Sequence, residues 1–145
     1  MSLLVFLLVL SVLIIVHEWG HFITARRLGV KVEKFALGFG PRLFSRRGKN
    51  TEFLICAIPL GGYVKLAGDE RGQCQGKPDE FYAQPVGRRA LIVLMGPIVN
   101  LIFAYLCFVF VFMAGYPTLS ATVGKVMADY PAMAAGLRDG DQVLR

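Results

Sequence analysis

The chain has 145 residues, of which 55% are hydrophobic, and a formal net charge of +6 at pH 7. That length suits one modest domain, but so apolar a composition excludes an ordinary soluble one and calls for lipid over part of the surface. The three cysteines, Cys56, Cys74 and Cys107, are odd in number and scattered, which argues against a disulfide framework and a cysteine zinc site alike.

The first element is a candidate membrane span within residues 1–25. Its purely apolar part, Leu3 to Val16, is short for a crossing. Carried on to Ala25 it becomes 23 residues, about 34 Å of helix, which is enough. Basic residues follow the run instead of preceding it, and no small-residue cleavage site is seen, so an anchor is expected rather than a cleavable signal peptide. Inside the run lies Val16-His17-Glu18-Trp19-Gly20-His21-Phe22, an H-E-x-x-H motif that holds both histidines of the chain. Positions i and i+4 share a helix face, so His17 and His21 can grip one Zn²⁺ with Glu18 beside it as general base. Ionisable groups are costly at membrane depth, which favours a functional site over histidines that merely satisfy one another in a helix bundle. Trp19 is expected to pack or to anchor at the interface.

Residues 26–89 form a basic, turn-rich segment with 13 basic against 6 acidic side chains. By the positive-inside rule this loop is cytoplasmic, which places the N-terminus and the C-terminal tail outside. No basic run is interleaved with stacking aromatics, so nucleic acid is not an expected partner. Val30–Phe39 and Thr51–Lys65 read as strands, the second punctuated by Pro59, Gly61 and Gly62. Ile58-Pro59-Leu60-Gly61-Gly62-Tyr63-Val64-Lys65 is very apolar for a cytoplasmic loop. Either a hairpin dips back into the membrane, where protein or a wet cavity must satisfy its backbone, or an ordinary hairpin lies on the membrane surface. Residues 66–87 read as loop.

A second span covers residues 90–114, with Arg88 and Arg89 at its cytoplasmic edge. Gly96, Pro97 and Asn100 interrupt it. Gly-Pro can kink a helix and free a carbonyl, and the Asn100 amide needs a partner, either a neighbouring helix or the site. Residues 115–145 then leave the membrane and read strand (Ala121–Val126), short helix (Pro131–Leu137), turn (Arg138–Asp141) and strand (Gln142–Leu144), too small a piece to bury a core of its own.

Several of these stretches together resemble the site-2 protease family of intramembrane zinc metalloproteases, most closely its bacterial regulator-of-sigma-E branch. They are V-H-E-W-G-H-F (16–22), F-A-L-G-F-G-P (35–41), I-P-L-G-G-Y-V-K (58–65), M-G-P-I-V-N (95–100) and a PDZ-like S-A-T-V-G-K-V through A-G-L-R-D-G-D-Q-V-L (120–144). The resemblance implies an α-helical integral membrane protein of the inner membrane. It would have two transmembrane helices, a membrane-associated β-hairpin and the start of an α+β PDZ-like domain outside. His17 and His21 would be zinc ligands and Glu18 the general base. Gly61, Gly62 and Tyr63 would bind an unwound substrate segment, and Asn100 would lie near the site as a further substrate-binding candidate. Partners would be transmembrane protein substrates, the bilayer and, through a completed PDZ-like domain, an extracytoplasmic peptide or protein. The family's third ligand, an Asp in an L-D-G-type motif on a later helix, has no counterpart, since the only D-G is Asp139-Gly140. The N-terminal part of a longer protease is therefore expected. The alternatives are a catalytically incomplete adaptor and a metal transporter; the latter would more typically show further intramembrane polar residues.

Overall fold

The computed structural model describes residues 2–115, 121–128 and 130–142. In chain order the elements are α1 (Ser2–Arg27), β1 (Val32–Arg47), β2 (Glu52–Leu66), α2 (Val86–Ala114) and the short α3 (Pro131–Ala134). They fall into two compact units, Met1–Phe108 and Val109–Arg145.

Helix α1 runs unbroken through the H-E-x-x-H motif because nothing from Leu3 to Arg27 breaks it. Arg26 and Arg27 occupy its last turn, where cations suit the negative end of the helix dipole. It stops at Gly29, which takes a left-handed φ of 81°. The Leu28 and Val30 amides there donate back to the Thr24 and Ala25 carbonyls at 3.0 and 2.9 Å. Only Gly20, Phe22, Thr24 and Ala25 of α1 are buried, and in α2 only Ile92 and Gly96. Each helix is long and apolar enough to cross a membrane, and in their most apolar stretches only 6% and 11% of residues are covered by protein. A core helix of a soluble protein would be mostly covered, so lipid is the medium that suits these faces.

The sheet is more folded than two strands suggest. β1 pairs with β2 antiparallel, and Lys34, Phe35, Ala36 and Leu37 each have two partners. On one side these residues face Lys65, Val64, Tyr63 and Gly62; on the other they face Glu52, Phe53, Leu54 and Ile55. The start of β1 is therefore the middle of the sheet. The later part of β1, Arg42 to Arg47, pairs with Cys56 to Glu52. Sequence reading ended the first strand at Phe39, ahead of Gly40 and Pro41. The strand continues because Arg42–Arg47 forms an edge, and an edge tolerates a proline.

The core gathers at the C-terminal third of α1, where Phe22, Ala25, Val30, Val32, Phe35, Leu66 and Ile92 are buried together. Phe22 lies 5.2 Å from Phe35 and 5.8 Å from Phe53, ring centre to ring centre, and Trp19 lies 5.4 Å from Phe22. Trp19 thus packs, as expected, while half of it stays exposed. Further up α1, the Ser11 hydroxyl donates to the Pro59 carbonyl of β2 at 2.6 Å. The Leu60 end of the hairpin is thereby fastened beside the middle of α1. Around it Phe39, Leu43, Phe44, Ile55, Ile58 and Leu60 are exposed.

Between β2 and α2 the chain is held by one buried carboxylate. Glu80 Oε2 accepts from the Cys74 thiol (3.3 Å) and from the backbone N–H groups of Gln75 (2.7 Å), Gly76 (2.9 Å) and Lys77 (3.2 Å). The three cysteines are free.

The second unit holds a Thr122–Gln142 antiparallel bridge, α3, and a turn at Arg138–Asp141 in which the Arg138 N–H donates to Asp141 Oδ2 at 2.8 Å. Asp139 Oδ1 accepts from the Val126 N–H at 2.6 Å. Of the strand expected at Gln142–Leu144, residues 143–144 lie outside the described residues, as do residues 116–119, where the chain was expected to leave the membrane.

The Glu80 carboxylate gives a pH test. Burial pushes its pKa up, but the Cys74 thiol and the three backbone N–H groups outweigh burial and hold it below the ordinary 4.5. A carboxyl whose folded value is lowered contributes stability that is complete above its unfolded value. We expect amide protection at Gln75, Gly76 and Lys77 to be lost as pH falls below 4.5 through that lowered value. In Glu80→Gln it should be weak at every pH. Protection that persists unchanged in acid, read by hydrogen exchange with mass spectrometry, would refute this.

Candidate metal centre

His17, Glu18 and His21 are half-buried on the face of α1 that meets β2 and α2. The helix does what the spacing asked of it: His17 Nε2 and His21 Nε2 are 3.1 Å apart, with the rings nearly perpendicular at 85°. A tetrahedral zinc ion with nitrogen ligands at about 2.0–2.1 Å holds those nitrogens about 3.3 Å apart. The pair therefore fits two adjacent positions of such an ion. Among the described residues no third His, Cys, Asp or Glu joins them.

The far side of the His21 ring is fixed by the backbone. Its Nδ1 lies 2.8 Å from the Ile92 carbonyl of α2. A carbonyl can only accept, so Nδ1 carries the proton and Nε2 presents its lone pair to the other imidazole, the arrangement a metal-binding histidine needs. Pro97 lies inside α2 and has no N–H for the Val93 carbonyl, one residue beyond Ile92. Gly-Pro was expected to free a carbonyl, and the carbonyl that reaches the site is its neighbour. His17 Nδ1 lies 3.5 Å from Asn100 Nδ2, while Asn100 Oδ1 is buried without a partner.

Two glycines make this closeness possible, and neither was singled out as a site residue. A Cβ on Gly96 would lie 2.5 Å from His21 Cε1 and Nε2 and 2.8 Å from His17 Cε1. A Cβ on Gly20 would lie 2.5 Å from the Met95 carbonyl oxygen. The imidazoles thus rest on bare α2 backbone at Gly96, and α1 rests on it at Gly20. Glycines, which let helix backbones approach closely, were the available signal: one within H-E-x-x-H and one beside Pro97.

Gly62 reaches the site from β2, where a Cβ would lie 3.4 Å from Glu18 Cγ and 2.9 Å from the Ala36 carbonyl oxygen. Gly61 does not share that contact, since a Cβ there would meet the Phe39 ring, while Tyr63 pairs with Ala36 in the sheet. Beside Glu18 and His21 opens a cavity of about 260 Å³, walled also by Val64, Leu66, Asp69, Phe81, Ile92 and Val93. A larger hollow of about 460 Å³ is lined by Lys31, Lys34, Arg47 and Lys49 among others and touches none of the motif.

The sequence has known counterparts. The model of peptidase family M50 matches residues 5–136, and the chain belongs to that family. The chain is 43% identical to the regulator of sigma-E protease RseP of Escherichia coli over 95% of its own length and 31% of that protein. It is 40% identical to the metalloprotease MmpA of Caulobacter vibrioides over 96% of its own length and 40% of that protein. A Clostridium acetobutylicum protein provisionally named a zinc metalloprotease is 42% identical over 99% of this chain and 42% of its own length. The chain therefore spans about a third to two fifths of these relatives.

The glycine at 96 gives the test of this geometry. Gly96→Ala forces the two imidazoles off α2, and zinc affinity should fall about 10–100-fold, the range for residues that orient metal ligands. Gly87→Ala on the same helix meets nothing within 4 Å and should leave affinity unchanged. Competition with a chromophoric chelator measures both.

Proposed function

We propose that this chain carries the two-histidine half of an intramembrane zinc metalloprotease, which hydrolyses peptide bonds within or near transmembrane segments of membrane proteins. The observation that carries the reading is the convergence of His17 and His21 Nε2 to 3.1 Å, with Glu18 beside His21 in the wall of the cleft. When bound, zinc lowers the pKa of a water towards about 7 and polarises the scissile carbonyl. His17 and His21 hold the metal through Nε2. Glu18 is the general base: it takes the water's proton and delivers it to the leaving amine. A third ligand comes from outside the described residues.

A peptide bond in a membrane helix is shielded by its own hydrogen bonds, so the substrate must be extended before attack. The Gly61-Gly62-Tyr63 edge of β2 holds it by main-chain bonds that are tolerant of side chains. Gly62 against Glu18 supports this placement, because a strand laid along that edge passes the base. The Ser11–Pro59 bond and the exposed apolar Leu60 end support the re-entrant hairpin over one lying on the surface. The basic segment is cytoplasmic, the N-terminus and the tail lie outside the inner membrane, and the tail from Ala121 begins a PDZ-like domain that meets extracytoplasmic peptide. The Thr122–Gln142 bridge is consistent with that last reading. The names of the relatives do not favour the adaptor alternative.

Glu18→Gln in the full-length protein should lower cleavage of a membrane-protein substrate by about 10²–10⁴-fold, the usual share of general acid–base catalysis. Zinc content should remain near wild type, since the ligands are untouched. Cleavage that survives the substitution would overturn the role of Glu18; zinc lost with it would reassign Glu18 to the ligand set.

A further inference from the structure

The proton-bearing atoms of the site form a chain with a direction. His21 Nδ1 must donate to the Ile92 carbonyl, so His21 Nε2 can only accept. The 3.1 Å contact between the two Nε2 atoms is then a hydrogen bond only if His17 Nε2 carries the proton. His17 Nδ1 is left as an acceptor, and the atom facing it at 3.5 Å is the Asn100 amide nitrogen. All three contacts agree: Asn100 N–H to His17, His17 to His21, His21 to Ile92. The odd member is Asn100 Oδ1, buried and unpartnered.

A metal at both Nε2 atoms is incompatible with this order, since Nε2 of His17 must give up its proton to be a ligand. In a neutral imidazole the proton then sits on Nδ1, which becomes a donor. It would face the amide N–H₂, donor against donor. Turning the amide by 180° puts Oδ1 in that place, where it accepts the Nδ1–H. Either orientation leaves one end of the amide in the unpartnered position, so what decides between them is the proton on Nδ1.

Resting on the metal-site reading above, we propose that Asn100 is a positioning residue for His17. Its amide presents nitrogen to the metal-free imidazole and oxygen to the metal-bound one, so that it selects the tautomer with Nε2 free. His21 has the same service from the Ile92 carbonyl, which is fixed; His17 has it from a group that turns. In apolar surroundings such a bond is strengthened, and leaving Nδ1–H unpaired is costly.

The test compares wild type, Asn100→Leu and Asn100→Asp in detergent-solubilised full-length protein, with zinc alone as the probe. Chelator competition gives affinity, and nitrogen-15 NMR of the histidine rings gives the protonation and exchange of Nδ1. In wild type, His17 Nδ1 should be unprotonated without metal and should carry a slowly exchanging proton with zinc. Asn100→Leu has no acceptor and should weaken zinc about 10–100-fold, with rapid exchange at Nδ1. Asn100→Asp keeps an acceptor there and should restore both. Affinity in Asn100→Leu equal to wild type overturns the proposal and leaves Asn100 to the substrate. So does a zinc-loaded wild type whose Nδ1 proton exchanges freely, a result that stands even if Asn100→Leu does not fold. Wild type that binds no zinc overturns the underlying metal-site reading instead, and is recognised without any Asn100 variant.

Discussion

The contact on which the site depends is the approach of α1 to α2 at Gly20 and Gly96. A single methyl at either position would sit 2.5 Å from the opposing group, the Met95 carbonyl oxygen in one case and the His21 ring in the other. Van der Waals packing is the main force available to two helices in lipid, because lipid covers apolar side chains as well as protein does. The two glycines turn that weak force into a close seat, and the imidazoles occupy it. With bulkier residues the helices could still cross the membrane, but His17 and His21 would lose the backbone they rest on.

Polar groups in such a setting must find partners among themselves, and this requirement explains features that look unrelated. The Thr24 hydroxyl donates back to the Gly20 carbonyl at 2.8 Å, and the Ser11 hydroxyl, also 2.7 Å from the Leu7 carbonyl, reaches across to Pro59. His21 uses the Ile92 carbonyl, and His17 uses Asn100. Each is a small side chain or a ring satisfied by backbone or by one neighbour, as a low-dielectric medium demands. The same demand that makes these bonds necessary makes them directional, and direction is what a metal-binding imidazole requires.

Much of this was legible in the sequence, for definite reasons. H-E-x-x-H has helical spacing, so the meeting of His17 and His21 follows from geometry alone. The two spans follow from length and apolarity, although α2 begins at Val86, ahead of the Ala90 expected after two arginines. The sheet was legible only in part. That Ala36 pairs on both sides, with Tyr63 and with Leu54, depends on β1 bending near Gly38 and Gly40, both at positive φ, a bend that alternation alone does not reveal. Ile92 was invisible because its contribution is a carbonyl, which every residue possesses. Gly96 was noticed as a helix interruption, whereas its role is spatial: what matters is the absence of a side chain beneath two rings.

Gly62 shows the same logic from the sheet. It stands between the Ala36 carbonyl, where a Cβ would come within 2.9 Å, and Glu18, whose Cγ would lie 3.4 Å away. A side chain there would fill the space between strand and helix and press on the carboxylate. Glu18 thus keeps the cleft on one side and bare backbone on the other. Two elements, β2 and α2, meet the motif through a glycine, Gly62 and Gly96 respectively, and the motif's own Gly20 meets the α2 backbone at Met95. The side chains that remain at the centre are those of His17, Glu18 and His21. A site assembled in this way needs little sequence to specify it, since backbone supplies the walls. That is why it can be built into two helices and a hairpin whose other faces are left to lipid.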